Sequence, residues 1–305
     1  MTEITLAVRD LVQFCYREGD IDHRFSPSPT AAQGIEGHRR VYRRRPDTYR
    51  PEYPLEYRFE RGGQRFLLRG RADGYDPQEL LLEEIKTCRV DFAQIPGAVS
   101  RMHLAQGRLY AAMLASAEEV EQLELRLTWL HVDSGEEWSI SEPCERAGLL
   151  RFLQDSLERF AHWTDTLAQL RRVRDDSLRR LDFPHGKFRP GQREIAELVY
   201  KCVHQQGQLM VEAPTGIGKT AAALYPALKA LAAGRHDALV YLTARIVGRR
   251  AAEDTLALFR QRGFRGAGLS LTAKEGICLS PGSACHGDDC PYARGYYDRL
   301  PEARA

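Results

Sequence analysis

An apolar run, a loop with two glycines and the start of a helix follow one another in VEAPTGIGKTAAALYPAL, residues 211–228. Few architectures accommodate that order. Around it the pattern runs helix, QLMVEA (208–213), glycine turn, helix, ALVYLTA (238–244), helix. Such alternation predicts parallel strands joined by crossover helices. Gly216 and Gly218 let backbone N–H groups curl around phosphate oxygens. Lys219 then reaches the β and γ phosphates, and the Thr220 hydroxyl ligates Mg²⁺. The loop also holds Thr215, and Ala213 stands where the G-x-x-x-x-G-K-T pattern has its first glycine.

At 305 residues with 43% hydrophobic content, the chain has room for two domains with real cores. A formal charge of +2 gives no bulk argument for a nucleic-acid partner, so that case rests on local clusters such as HRRVYRRR, residues 38–45. No leader-like segment and no run of about 18 apolar residues occurs, which predicts a cytoplasmic protein without a membrane partner. Of seven cysteines, Cys278, Cys285 and Cys290 crowd together in sequence, and that spacing favours metal ligation over disulfides.

Ahead of the glycine loop, Ile4 to Tyr16 shows apolar residues at helical spacing, FSPSPT (25–30) reads as a loop, and a basic helix passes through His38 and Arg45. Residues 55–61, 65–73 and 79–88 read as three consecutive strands. A helix over 97–116, strands at 123–132 and 136–141, and an amphipathic helix over 145–181 follow. FPHGKFRPGQ (183–192) breaks the helical pattern, which puts the boundary near 182.

Within the strand LLLEEIKT (80–87), Glu84 and Lys86 point to one face and Glu83 and Ile85 to the other. A turn over 74–78 lays Asp73 beside Glu84. Two carboxylates and the Ile85 carbonyl suit a hard divalent cation, Mg²⁺ or Mn²⁺, with Lys86 alongside. Buried charge of this kind requires pairing or a metal.

Asp73, Glu84, x, Lys86 resembles the PD-(D/E)xK nuclease superfamily. His38 in GIEGHRR and Gln106 with Tyr110 in LAQGRLYA resemble the added motifs of its RecB-like branch. The resemblance covers about residues 1–142 and implies a mixed sheet flanked by helices. It also implies hydrolysis of DNA, single strands above all, with His38 joining the metal site and Gln106 and Tyr110 contacting DNA. Cys15, Cys88 and Cys144 do not supply the cysteine set of the cluster-bearing members, so no cluster is expected there.

EAPTGIGKT resembles the ATP-binding loop of XPD/DinG-like superfamily-two iron-sulfur helicases. RPGQ (189–192) resembles their Q motif, in which Gln192 would read adenine, and YLTAR (241–245) the motif in which Thr243 and Arg245 would touch a DNA phosphate. Residues 274–293 lie where those helicases insert a [4Fe–4S] domain, which implies Cys278, Cys285 and Cys290 as ligands, the fourth cysteine not being in this chain. Zinc with His286, or a plain loop, are the other readings of that segment.

The expected layout is a nuclease domain over 1–144, a helical connector over 145–181, a partial RecA-like P-loop parallel α/β domain over 182–267 and the start of a cluster insertion over 268–305. No apolar strand after Thr220 ends in Asp-Glu, so the expectation is an N-terminal part of a nuclease-helicase of DNA repair or processing, lacking the second motor lobe. Two other classes stay open: an inactive nuclease-fold DNA clamp, and an RNA-directed superfamily-two ATPase.

Overall fold

The structure is a computed structural model that describes residues 3–24, 28–244 and 246–304. It divides into two compact units, residues 1–163 with 278–305, and residues 164–277. The division falls inside a long helix, earlier than the proline- and glycine-rich segment at 183–192. The cysteine-bearing segment belongs with the first unit rather than with the glycine loop.

The first unit is built on a six-stranded mixed sheet: β1 (Glu3–Ala7), β2 (Arg50–Arg61), β3 (Gln64–Asp76), β4 (Leu81–Cys88), β5 (Gln122–His131) and β6 (Glu137–Glu145). β4 and β5 run parallel, as do β1 and β3, while β2–β3, β3–β4 and β5–β6 are antiparallel. This meets the expected mixed sheet flanked by helices. One expectation fails: Ile4 to Ala7 form a strand, and only Val8–Tyr16 form helix α1. Pairing of Ile4 with Phe66 and Leu6 with Leu68 outweighs the local helical spacing.

β2 occupies one whole edge of β3, so β1 and β4 share the other. β1 takes residues 65–69 and β4 takes residues 74–76. Between them, residues 70–73 are left without a ladder partner on that edge, and Asp73 lies in this split.

Helix α2 (Ala31–Tyr42) starts at Thr30, whose hydroxyl accepts the Gln33 N–H while the Gln33 side chain accepts the Thr30 N–H. Its Val41 packs with Ile85 and Leu130. Helix α3 (Gly97–Ala117) and the first turns of α4 (Arg146–Arg180) join α1 over the main core, which includes Leu68, Leu82, Leu109, Met113, Leu125 and Leu153. Alternation along β4 thus buries Leu82 with α3 and Ile85 with α2.

In the second unit, the end of α4, α6 (Lys219–Ala232) and α7 (Ile246–Gln261) enclose a small core of Leu178, Leu181, Leu224, Leu228, Phe259 and Phe264, and α5 (Gln192–His204) packs on α6. The segments 208–213 and 238–244 form no strands. Met210 is 98% exposed and Leu242 88%. A parallel strand needs a hydrogen-bonded neighbour, and among the described residues neither segment has one. Helix α8 (Tyr296–Arg304) ends the described chain.

Candidate active site and nucleotide loop

The split beside β3 brings four expected residues together. Asp73 Oδ2 accepts the Ile85 N–H at 2.7 Å, which replaces the next rung of the β3–β4 ladder. Asp73 Oδ1 lies 3.5 Å from His38 Nδ1 on α2. Lys86 Nζ stands 4.0 Å from Asp73 Oδ2 and forms an ion pair with Glu84. The register Gly74↔Glu83 puts Asp73 level with Glu84, as the sequence predicts, although the turn occupies residues 77–80 instead of 74–78. Asp76 closes that turn by accepting N–H bonds from Gln78 and Glu79.

Glu84 is fully buried, and its Oε2 has no hydrogen-bond partner. Burial pushes the Glu84 carboxyl up to about 8; the Lys86 charge opposes the shift and the Asp73 charge adds to it. Burial alone would lower the Lys86 ammonium, but the Glu84 and Asp73 carboxylates outweigh it and hold the group above its ordinary value. Among the described residues no three His, Cys, Asp or Glu side chains form a ready group for an ion. The donors Asp73 and Glu84 are nevertheless hard oxygens, and the bare Glu84 Oε2 is the atom a cation would complete.

Gln106 and Tyr110 lie on α3 as expected. Tyr110 is 5% exposed, and its ring packs so closely on β3 that a Cβ at Gly70 would collide with it. Its environment includes Gln106, the Arg71 backbone and the charges of Glu84 and Asp73. A Tyr110 buried in this way braces the split; Gln106 is the more accessible of the two.

Sequence reasoning missed the other face of β4. HRRVYRRR is not a free basic ridge: Arg40 donates to the Val132 carbonyl, Arg44 to Gly135 O and Glu137, and Arg45 to Glu83 and Glu137. It also missed His103, which stacks edge-on against Trp129, the register partner of Lys86. Burial and then the Lys86 charge push the His103 imidazole down to about 3.

In the second unit the loop before α6 has left-handed backbone at Gly216 (φ +83°) and Gly218 (φ +85°), a region glycine enters without penalty. Lys219 Nζ donates to the Ala213 and Pro214 carbonyls at 2.8 Å each, closing the loop on its own lysine. Thr220 is in the first turn of α6, and Thr215 is exposed in the loop. Buried Gln192 accepts the Arg189 N–H and donates to Gly218 O at 3.2 Å, while Arg189 donates to Gly216 O at 2.7 Å. RPGQ and the glycine loop are therefore one assembly. A groove of about 570 Å³ beside it is lined by Phe188, Arg193, Tyr200, Tyr225 and Lys229. Thr243 lies close to Gly248 of α7, and Arg245 lies outside the described residues.

Cys278, Cys285 and Cys290 do not form a ligand group among the described residues. Local turns dominate here: the Cys285 carbonyl accepts the His23 N–H, and Cys290 is buried in a turn where its N–H bonds to His286 O.

Residues 189–274, which hold RPGQ, the glycine loop and α7, match the DEAD/DEAH box helicase family. This segment of the chain is similar to the helicase superfamily. A stretch of 46 residues is 46% identical to a probable ATP-dependent helicase of Methanocaldococcus jannaschii, covering 15% of this chain and 7% of that protein. The chain therefore matches only a small part of that relative. The crystal structure of SSO0001 is similar over 52% of this chain and 77% of its own, at 21% identity and a TM-score of 0.35, too low to assign fold or function. No helix among the described residues is long and apolar enough to cross a membrane.

Proposed function

We propose that the first unit is a divalent-cation-dependent deoxyribonuclease joined to the ATP-binding part of an XPD/DinG-like DNA helicase, acting on single-stranded DNA in repair or processing. The observation that carries the nuclease reading is the meeting of Asp73, Glu84, Lys86 and His38 at the split in the sheet, with one Glu84 oxygen left bare.

Asp73 and Glu84, with the Ile85 carbonyl and His38 beside them, are the groups to hold Mg²⁺ or Mn²⁺. That ion, when bound, would supply Lewis-acid activation of water and charge neutralisation at the phosphate. The chain's own residues do the positioning. Asp73 is aimed by the Ile85 N–H on one oxygen and faces His38 with the other. Lys86, whose ammonium is held above its ordinary value, offers a cation to the negative charge that gathers on the phosphate during attack. Gln106 lies on α3, near enough to Tyr110 to hydrogen-bond it, and provides a polar contact for a strand laid along the split. Sequence is not read by such contacts, so binding is salt-sensitive and sequence-independent.

For the second unit the reading is ATP–Mg²⁺ bound by Thr215, Gly216, Gly218, Lys219 and Thr220, with Gln192 at the adenine and Thr243 and Arg245 toward DNA. Support comes from the joined RPGQ and glycine loop and from the helicase match over 189–274. For ATP binding, Lys219 must leave the Ala213 and Pro214 carbonyls and turn to phosphate oxygens.

The test is cleavage of end-labelled single-stranded, duplex and RNA substrates in Mg²⁺, Mn²⁺ or chelator. Metal-dependent cutting of DNA supports the reading. DNA binding with no cutting in either metal overturns it in favour of a non-catalytic clamp, and a preference for RNA overturns the DNA assignment.

A further inference from the structure

β4 carries two adjacent glutamates, Glu83 and Glu84, both fully buried and on opposite faces of the sheet. Because they are identical, a one-residue slip of the strand would put one glutamate in the place of the other, and nothing in the dipeptide itself opposes that slip. Their surroundings differ completely. Glu84 has Lys86 as partner and one bare oxygen. Glu83 accepts four hydrogen bonds: from Arg45 Nε at 2.9 Å, Arg45 Nη2 at 2.6 Å, Tyr49 Oη at 2.9 Å and Thr128 Oγ1 at 2.5 Å. Both of its oxygens are satisfied, and the Arg45 fork is bidentate, the geometry that best fixes a carboxylate in direction.

Two further features are built around this clamp. Glu83 sits opposite Gly74 in the β3–β4 ladder, and a Cβ at Gly74 would overlap the Tyr49 ring, so glycine is what admits the tyrosine to Glu83. Arg45 Nη2 also reaches Glu137 of β6 at 2.9 Å, which ties β4 to the far edge of the sheet. Arg45 itself lies just past α2, the helix that sets His38 against Asp73. One segment, residues 31–45, is thus fastened to β3 through His38 and to β4 through Arg45.

We infer that Arg45 and Glu83 are positioning residues that fix the register of β4, so that Glu84 and Lys86, and not Glu83, stand beside Asp73. What that register serves rests on the nuclease reading above; the register claim itself does not.

The test compares the full chain with Glu83→Gln, Arg45→Met and the double variant Arg45→Met/Glu83→Leu. The readouts are hydrogen exchange of the peptide over 81–88, the rise in melting temperature on Mn²⁺ addition, and DNA cleavage. Glu83→Gln, folded by circular dichroism, is expected to exchange faster in 81–88 and 31–45 with β5 unchanged. Its Mn²⁺ midpoint is expected to rise about tenfold, the usual cost of losing an outer support, and cleavage to fall with it. The double variant is expected to regain melting temperature, since a buried ion pair is replaceable by apolar groups, yet to keep the weakened Mn²⁺ response. A folded Glu83→Gln whose exchange in 81–88 matches wild type overturns the register claim, as does a double variant that regains the Mn²⁺ response. If wild type neither responds to Mn²⁺ nor cuts DNA, the nuclease reading fails, and the exchange comparison still decides the register claim.

Discussion

Asp73 accepts the backbone N–H of Ile85 at 2.7 Å. That bond uses an acidic side chain where a regular ladder would use a carbonyl, and it ties the residue between Glu84 and Lys86 directly to β3. The separation of β1 from β4 along β3 leaves room for it. An acid, a base and a bare carboxylate oxygen are thereby gathered at one interruption of the sheet.

The raised Glu84 carboxyl gives a pH prediction. Its folded value of about 8 stands above the ordinary 4.5, so the folded state binds the extra proton between those limits. Stability from this group is complete below about 4.5 and is lost as pH rises through about 8. With chelator present, wild type is expected to lose stability relative to Glu84→Gln across that window. Denaturant titrations at several pH values check it, and a difference that does not change with pH contradicts it.

The close approach of Tyr110 to Gly70 gives a second prediction. A methyl group at Gly70 meets the Tyr110 ring, with no open space to receive it. Gly70→Ala is expected to cost about 1–3 kcal/mol, the range for overpacking a filled site. Urea unfolding measures this, and a neutral effect would mean that the ring moves aside freely.

The nucleotide loop supplies a third. Gly218 has φ +85°, and a Cβ there would strike the Gln192 amide. Gly218→Ala is expected to weaken binding of a fluorescent ATP analogue by at least about tenfold, and Lys219→Ala to weaken it further, through loss of the loop's N–H cradle and of its charge. Titration by anisotropy checks both; unchanged affinity in Lys219→Ala would remove this loop from ATP binding.

Much of this organisation was legible because alternation is strict where a strand is half-buried. Glu84 and Lys86 on one face and Glu83 on the other follow from spacing alone, whereas the level pairing of Asp73 with Glu84 depends on the turn at 77–80, which the sequence reading puts at 74–78. The partners of Glu83 were not legible, because Arg45, Tyr49 and Thr128 come from separate elements and no local pattern joins them. Arg45 belonged to a run that local reading assigns to solvent or to DNA.

Ile4 and Leu6 were misread for a related reason. Their spacing continues the helical pattern of Leu11 and Cys15, while the parallel pairing with β3 that makes them a strand is a tertiary contact. The apolar runs at 208–213 and 238–244 failed in the opposite direction. Their composition is that of buried strands, but burial requires neighbouring strands, and here Val240 and Leu242 face solvent.

The most direct measurement is cleavage of end-labelled single-stranded DNA by wild type and Lys86→Ala side by side, in Mn²⁺ and Mg²⁺, with circular dichroism showing both folded. Lys86 pairs with both Asp73 and Glu84, so the account predicts that metal-dependent cutting falls by at least about a hundredfold in the variant, the scale of losing a transition-state charge contact. Cutting by folded Lys86→Ala at the wild-type rate would contradict it.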